Sequence, residues 1–512
     1  MTEKSLIAVI NCGSHTIRLI VAESDQDHGV QIVDSAIQYI GLGRDVFSTG
    51  FIRKKTMQQA IGVFLQLREM LAGWGIKPEG VRVIGTSAFR EAKNRDAFVD
   101  RLEVRTGFQV TIVDGLEENR LTFLAVQHSL QESFRRLSRV NSVILEVGAG
   151  STEIMLMRRG QMAAVHSLSF GAVRLDEQFR GSHTTMGIPS DTLAQNLRPM
   201  KDLLASEIKT SSIREFVAVG NYAKIAADHI GQPFNKNTVV ILRKDLEALA
   251  LRIHQLSPEE CAEELGISLL GLPGLANALM AYSLFLHGTS VKEILVPMGG
   301  NAEGILMEQG NFMNPEIEEQ FNDQVISSAI SLGKKFHFDA PHSLLVARLS
   351  LSLFDQLQKE HQMSEKERLL LHVAAILHDV GTYIRSSGHH KHGMYLVLNS
   401  EIFGLSPRDV RIVANVVRYH RKTLPTASHS NYGSLNRSDR IRVLKLASIL
   451  RVADAMDRSH SQKVGNIIAK RREEELILET DFTGDLSAER FSLMNKGSMF
   501  EDVFGLRVVL LN

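Results

Sequence analysis

LIAVINCGSHTIRLIVA (residues 6–22) and VILEVGAGSTEIMLM (residues 143–157) decide the fold. Each has an apolar, β-rich run, a short polar turn and a second β-rich run: residues 6–10 then Thr16–Ala22, and Val143–Leu145 then Thr152–Met157. In each, a polar residue (Asn11 or Glu146) and one intervening residue precede a glycine (Gly13 or Gly148). Such self-similarity reads as an internal duplication. It predicts two similar α/β lobes, residues 1–125 and 126–305, facing each other across a cleft. Glycine permits positive φ and carries no Cβ, so main-chain N–H groups at such a turn can converge on an anion. Two facing turns would clamp a phosphate chain; two ordinary hairpins are the plainer alternative.

Outward from these turns, Thr56–Ala72 reads as a helix, Val81–Ile84 as a strand, and Arg90–Thr106 as a helix. Asp114–Val126 is acidic at its start and then helical. Near 306–325 the β signals stop in a polar stretch, EQGNFMNPEIEEQFND, which marks a domain boundary. Residues 322–462 read as an all-α domain, with stripes at Leu345, Leu349, Leu353, Leu357 and at Leu369, Val373, Ile376, Val380. Short β segments return after Lys463 (NIIAK, LILET, LRVVLL), giving a small α+β tail over 463–512.

The composition narrows the function. At 512 residues, 44% hydrophobic and 23% charged, the chain is an ordinary globular protein of several domains. Lys+Arg and Asp+Glu number 58 each, so an anionic ligand must find a local basic patch; wholesale nucleic-acid or membrane-surface binding is not expected. Two cysteines, Cys12 and Cys261, imply no disulfide framework and fit a reducing compartment. MTEKSLIAVIN lacks the pattern of a signal peptide, and no run of about 18 apolar residues exists, so a soluble cytoplasmic protein is expected.

GTSAFREAKNR (85–95), DGLEENRLTF (114–123), VGAGSTEI (147–154) and SFGAVRL (169–175) resemble the exopolyphosphatase/guanosine pentaphosphate phosphohydrolase (Ppx/GppA) family. The resemblance implies an actin-like fold of the acetate-kinase and sugar-kinase type. It also implies release of a terminal phosphate from polyphosphate or guanosine pentaphosphate, usually with Mg2+, and a homodimer. Carried over, Glu118 is the residue that activates water and Glu153 an acidic neighbour of metal and water. Arg90 is a phosphate-contacting arginine, and Ser14, Gly148, Gly150 and Ser151 are phosphate-turn residues. A carboxylate can take a proton from water, and Arg can clamp phosphate oxygens. The departures are concentrated at the site. Asn11 and Glu146 stand where the family has two metal-holding aspartates, and Ala149 interrupts a glycine run. Gly41 replaces an arginine, Val219-Gly220-Asn221-Tyr222 lacks the family's Gly-Gly-Thr, and Ala302-Glu303-Gly304 replaces Arg-Glu-Gly. Mg2+ tolerates altered geometry poorly, so a weakened cleft site is expected.

In the helical part, His342, the pair His378-Asp379 in AAILHDVG, and Asp454 in LRVADAMDRS resemble the metal set of the HD superfamily of phosphohydrolases. Two imidazoles and two carboxylates suit Mn2+, Fe, Ni2+ or Zn2+ better than Mg2+, and a metal there would generate a nucleophilic water for phosphoester hydrolysis. His389, His390 and His392 in SGHHKHGMY, with His420, are candidates for a second metal or for phosphate contact. Residues 418–472 hold thirteen Lys and Arg against three Asp, a local net of +10. Arg437, Arg440 and Arg442 there suggest a basic path for polyphosphate or a phosphorylated guanine nucleotide; a solvated helix face is the alternative. Few aromatics accompany the path, so single-stranded nucleic acid is not suggested. Three readings follow: hydrolysis at the cleft, metal-dependent hydrolysis in the helical domain, or non-catalytic binding of polyphosphate or an alarmone.

Overall fold

The computed structural model describes residues 5–25, 29–130, 133–137, 139–179, 187–309 and 315–511. The chain forms two compact units, Met1–Gln320 and Phe321–Asn512. Part of the polar boundary stretch, residues 310–314, lies outside the described residues.

The first unit carries the duplication. Its first sheet contains β1 (Ser5–Cys12), β2 (Thr16–Asp25), β3 (Gly29–Tyr39), β4 (Val81–Gly85) and β5 (Val110–Ile112), in the order β3-β2-β1-β4-β5. Its second contains β6 (Asn141–Val147), β7 (Thr152–Arg158), β8 (Gln161–Leu168), β9 (Ile213–Val219), β10 (Gln232–Asn235), β11 (Thr238–Leu242) and β12 (Glu293–Pro297). The order here is β10-β11-β12-β9-β6-β7-β8. The run β8-β7-β6-β9-β12 repeats β3-β2-β1-β4-β5, with two antiparallel pairings followed by two parallel ones in both. This duplicated α/β architecture is the actin-like class.

Strand β1 is buried on both faces, as a strand with helices on each side must be. Ala8, Ile10 and Cys12 point into a core with Phe64, Phe89 and Phe98. Val9 points the other way, into a core with Leu121, Ile305 and Leu306. Leu121 belongs to the helix Gly115–Leu130 and the last two to Asn301–Gln309, so a helix that follows the second sheet closes a core under the first.

Three local expectations change. Asn11 and Glu146 lie in strands β1 and β6, so the turns are shorter than the sequence suggests. Cross-strand neighbours are Asn11–Arg18 in one lobe and Glu146–Glu153 in the other. The expected helix Arg90–Thr106 is two helices, Ser87–Glu91 and Arg95–Thr106. The break is held by Asn94, whose side chain bonds the main chain of Ile52 in both directions at 2.9 and 3.0 Å. Finally, Gly13, Gly148 and Gly150 do not have positive φ; they serve close approach instead. A Cβ on Gly150 would lie 2.4 Å from Ser87 Oγ and from Phe47 Cζ, so this glycine lets the two lobes' turns meet.

The second unit is helical up to residue 455. Caps fix where its helices start: Asp339 accepts from the His342 N–H, and Ser364 with Glu367 and Ser406 with Asp409 form capping boxes. Each such cap contributes about 1 kcal/mol. Leu345, Leu349, Leu353, Val373 and Ile376 are buried as expected, whereas Leu369 is only half-buried. The tail forms a sheet of β13 (Ile467–Arg472), β14 (Glu475–Thr480) and β15 (Arg507–Leu511). Its helices Ser487–Lys496 and Ser498–Phe504 pack on the helix Arg437–Ala455. Among the described residues no helix is long and apolar enough to cross a membrane.

Candidate functional site

Two constellations stand out, one in each unit. In the first unit a cavity of about 380 Å³ is lined by both glycine turns and gathers Asn11, Ser14, Arg18, Glu118, Glu146 and Lys224. Strand ends supply Asn11, Arg18 and Glu146, and the turns supply Ser14, Gly148, Gly150 and Ser151. The second turn is fixed from behind: the Gly148 and Ala149 carbonyls accept N–H groups of Ala172, Val173 and Arg174, and the Gly150 carbonyl accepts Arg174 Nε at 2.9 Å. SFGAVRL is therefore the brace of the turn. Ser14 Oγ accepts the Ala88 N–H at 3.1 Å and lies 2.8 Å from Ser87 Oγ, tying the first turn to the helix Ser87–Glu91.

Glu118 sits in the first turn of the helix Gly115–Leu130, which Asp114 caps by accepting the Glu117 N–H at 2.8 Å. Burial raises the Glu118 carboxyl to about 7; the Arg90 guanidinium opposes the shift, and the charges of Glu146 and Asp114 add to it. Arg90 Nη1 donates to Glu118 Oε1 at 2.8 Å and to the Val113 carbonyl at 2.7 Å. The arginine expected to contact phosphate is thus engaged with the carboxylate expected to activate water. Glu153 is held between Asn119 Nδ2 at 3.1 Å and Ser167 Oγ at 3.0 Å, and burial together with the Glu118 charge lifts it well above the usual carboxylate range.

The expected Mg2+ position fits poorly. Asn11 offers a neutral amide oxygen that is buried without a hydrogen-bond partner. Glu146 accepts from Thr122 Oγ1 at 2.8 Å, and burial raises its pKa. Lys224 shares the cavity, with the charges of Glu303 and Glu146 favouring its protonated form against burial. Mg2+ is usually held through one or two carboxylates and keeps several waters; with a carboxylate at only one of the two expected positions, beside a lysine and Arg18, this is a weak version of such a site. Arg18, Lys224 and Glu303 escaped the sequence reading. Only the strand register would have flagged Arg18, by setting it opposite Asn11.

The constellation of the second unit is tighter. His342 Nε2 lies 3.2 Å from His378 Nε2 and 3.8 Å from Asp454 Oδ1. Asp379 Oδ2 is 3.7 Å from His378 Nε2, and its Oδ1 is 3.1 Å from His389 Nε2 and 3.5 Å from His420 Nε2. His342, His378 and Asp454 form one possible metal cluster and Asp379, His389 and His420 another; Asp379 reaches both. Nitrogen ligands at about 2.0–2.1 Å from one ion stand roughly 3.0–3.4 Å apart, which these Nε2 pairs match.

The tautomers follow from the outer contacts. His378, His389 and His420 direct Nδ1 at the carbonyls of Ala375, Ser386 and Val417, at 2.7, 2.9 and 2.7 Å. His342 directs Nδ1 at Asp457 Oδ2 at 2.8 Å. Carbonyl and carboxylate oxygens only accept, so each Nδ1 donates, and Nε2 of each neutral ring turns a lone pair inward. Burial holds His378 and His420 below the ordinary imidazole value. Outer-shell partners of this kind accompany metal-ligating histidines. The residues present therefore fit a transition metal.

His390 and His392 stay outside the cluster. His390 is buried, with Nδ1 unpartnered, and burial plus the Arg418 charge lower it to about 4; His392 is half-buried. Their place is taken by His389. The arginines of the expected basic path are partly engaged within the fold. Arg442 donates to Glu367 and Asp439, each at 2.7 Å, and Arg437 is exposed and Arg440 half-buried on the same helix. Twelve residues of helix separate Arg442 from Asp454, about 18 Å, so these arginines lie away from the cluster. Asp457, Lys496 and Arg421 were missed; they come from outside the His/Asp pattern.

A duplicated actin-like cleft lined by phosphate-type turns, joined in sequence to a helical domain, defines a class of phosphate-handling proteins. The Ppx/GppA phosphatase family description matches residues 20–269, and that of Ppx/GppA phosphatase domain III matches residues 326–493. The chain belongs to the Ppx/GppA family. It is 23% identical over 454 residues to a guanosine-5'-triphosphate,3'-diphosphate pyrophosphatase of Photobacterium profundum, covering 87% of this chain and 86% of that one. A protein of the same name from Pseudoalteromonas translucida is 22% identical over 461 residues, covering 88% and 87%. The crystal structure of an exopolyphosphatase from Cytophaga hutchinsonii has the same fold over 60% of this chain and 99% of its own, at 20% identity and a TM-score of 0.54.

Proposed function

We propose that this chain is a phosphohydrolase that releases terminal phosphate from inorganic polyphosphate or guanosine pentaphosphate at the cleft of its first unit. The observation that carries this reading is Glu118: a buried carboxylate raised to about 7, set in a cavity between two phosphate-type turns. A base with that pKa is half ionised near neutral pH and can take a proton from an attacking water. Ser14, Gly148, Gly150 and Ser151 shape the phosphate bed, and Arg90 keeps Glu118 in place. Mg2+ would supply charge neutralisation on the phosphates; in this chain Arg18 and Lys224 carry part of that task. The protein works in the cytoplasm as a homodimer. Phosphate release from polyphosphate and from guanosine pentaphosphate by the purified protein tests the reading: Glu118→Gln abolishes it, and an unchanged rate in that variant rejects it.

One observation favours a second centre. Four imidazoles turn Nε2 toward Asp379 and Asp454 in the second unit, and this donor set suits Mn2+, Fe, Ni2+ or Zn2+. His342, His378, Asp379 and Asp454 would hold one ion, and His389 and His420 beside Asp379 would hold a second. Metal so bound would supply an activated water for phosphoester hydrolysis.

A further inference from the structure

Two cations press against this cluster from residues that belong to neither metal set. The Lys496 ammonium, at the end of the helix Ser487–Lys496, donates to Asp454 Oδ2 and is only 16% exposed. Arg421, next to His420 in sequence, places Nη1 3.1 Å from His389 Nε2.

Neither residue suits a metal shell by itself. His389 Nε2 is the nitrogen that faces Asp379 and His420, so an ion held there takes the acceptor that Arg421 now uses. Asp379, Asp454 and, behind His342, Asp457 return three negative charges against two divalent ions, and Lys496 and Arg421 add two more positive ones. An unbalanced surplus of this kind in a buried site is costly. An anion that reaches both sides of the cluster removes it. The side chains that would do the holding are already placed, one against each half of the ligand set.

We propose that Lys496 and Arg421 make the helical-unit centre a binding site for a terminal phosphate group, as carried by a phosphomonoester, with the two cations holding its outer oxygens. Lys donates as a compact point charge and Arg as a planar fork, and both are phosphate ligands by chemistry. A terminal phosphate has three non-bridging oxygens, enough to face the metal side and both cations at once. A diester has two, and leaves one cation unpaired. Lys496 belongs to the C-terminal segment, so that segment completes the site rather than merely covering the helices. The inference rests on the second centre proposed above and not on the cleft.

The test loads the full-length protein with Mn2+ and measures paramagnetic broadening of the 31P resonance of inorganic phosphate, which reports only phosphate close to bound metal. Metal content is measured in the same samples. Wild-type protein broadens the signal, an added phosphomonoester relieves the broadening, and a dialkyl phosphate does not. Lys496→Met and Arg421→Gln each keep wild-type metal content and weaken phosphate binding by at least about tenfold, the scale of one lost charge-assisted bond; Lys496→Arg retains binding. Glu118→Gln leaves the broadening unchanged. Unaltered phosphate affinity in both variants at full metal content overturns the inference, as does loss of metal from Lys496→Met, which would make the lysine structural. Equal relief by the dialkyl phosphate overturns the assigned ligand class. Absence of metal from the wild type rejects the metal centre itself, a result distinguishable from the others.

Discussion

Asn11 and Asp379 mark the contrast between the two units. Asn11 stands at the end of a strand in a cavity whose charges largely compensate one another: Glu118 against Arg90, and Glu303 against Arg18. Asp379 stands among four imidazoles whose Nδ1 atoms are all engaged by outer oxygen acceptors. The cleft joins two glycine turns to a buried carboxyl raised to about 7 and offers a weak place for a hard cation. The helical cluster has the form of a metal centre, with each imidazole fixed from behind. The duplicated scaffold and the better-formed ligand set are thus in different units. Their chemistry differs enough for single substitutions to separate them.

The largest expected effect is at the cleft. Glu118→Gln lowers polyphosphate or guanosine pentaphosphate hydrolysis by about 10²–10⁴-fold, the range for loss of a general base, and leaves the metal content of the second unit intact. Because Glu118 must be ionised to accept a proton, kcat/KM of the wild type rises with pH through about 7 and then levels. A profile flat from pH 5 to 9 separates Glu118 from the reaction. Next comes the outer shell of the helical centre. Asp457→Ala frees the His342 ring and weakens metal binding by roughly 10–100-fold, measured by competition with a chelator; cleft hydrolysis stays unchanged.

A smaller effect, of opposite sign, sharpens the comparison. Asn11→Asp combined with Glu146→Asp restores two carboxylates to the cleft and raises Mg2+-dependent hydrolysis severalfold, about 1 kcal/mol of barrier, measured as phosphate release against Mg2+ concentration. No gain would mean that the ion position is not what limits the cleft. The smallest effect belongs to the basic helix. Arg442→Gln breaks its partly exposed pairs with Glu367 and Asp439, costing on the order of 0.5–1 kcal/mol of stability. Polyphosphate affinity does not change, as thermal unfolding and a salt-dependent titration will show.

The sequence announced the duplication because the apolar run, the polar residue and the glycine recur in order, and the strand pattern alone carries that information. Its repeat pointed to Glu146 and Ser14, whereas Glu118, which lines the same cavity, came only from the resemblance to the Ppx/GppA family. It could not show that Asn94 would break a helix, because the break depends on a bond to Ile52, distant in sequence. Choosing between His389 and His390 was equally beyond it: neighbours on a helix point about 100° apart, and only the packed neighbours decide which one faces inward. Likewise, a count of thirteen basic residues says nothing of which are already paired. Arg442 and Lys445 are engaged locally, by carboxylates and by the His361 carbonyl, so the apparent patch is partly spent inside the fold. Lys496 and Asp457 were invisible because their roles exist only through tertiary contact.

The central claim is that the four inward-turned imidazoles and two aspartates of the second unit form a metal centre shared through Asp379. Elemental analysis of full-length protein produced in metal-supplemented medium tests it most directly, with Asp379→Ala run in parallel. The account predicts about two equivalents of a transition metal per chain in the wild type and their loss in Asp379→Ala, with polyphosphate hydrolysis at the cleft retained. Wild-type protein that carries no metal after supplementation, or an Asp379→Ala variant that keeps a full complement, would contradict it.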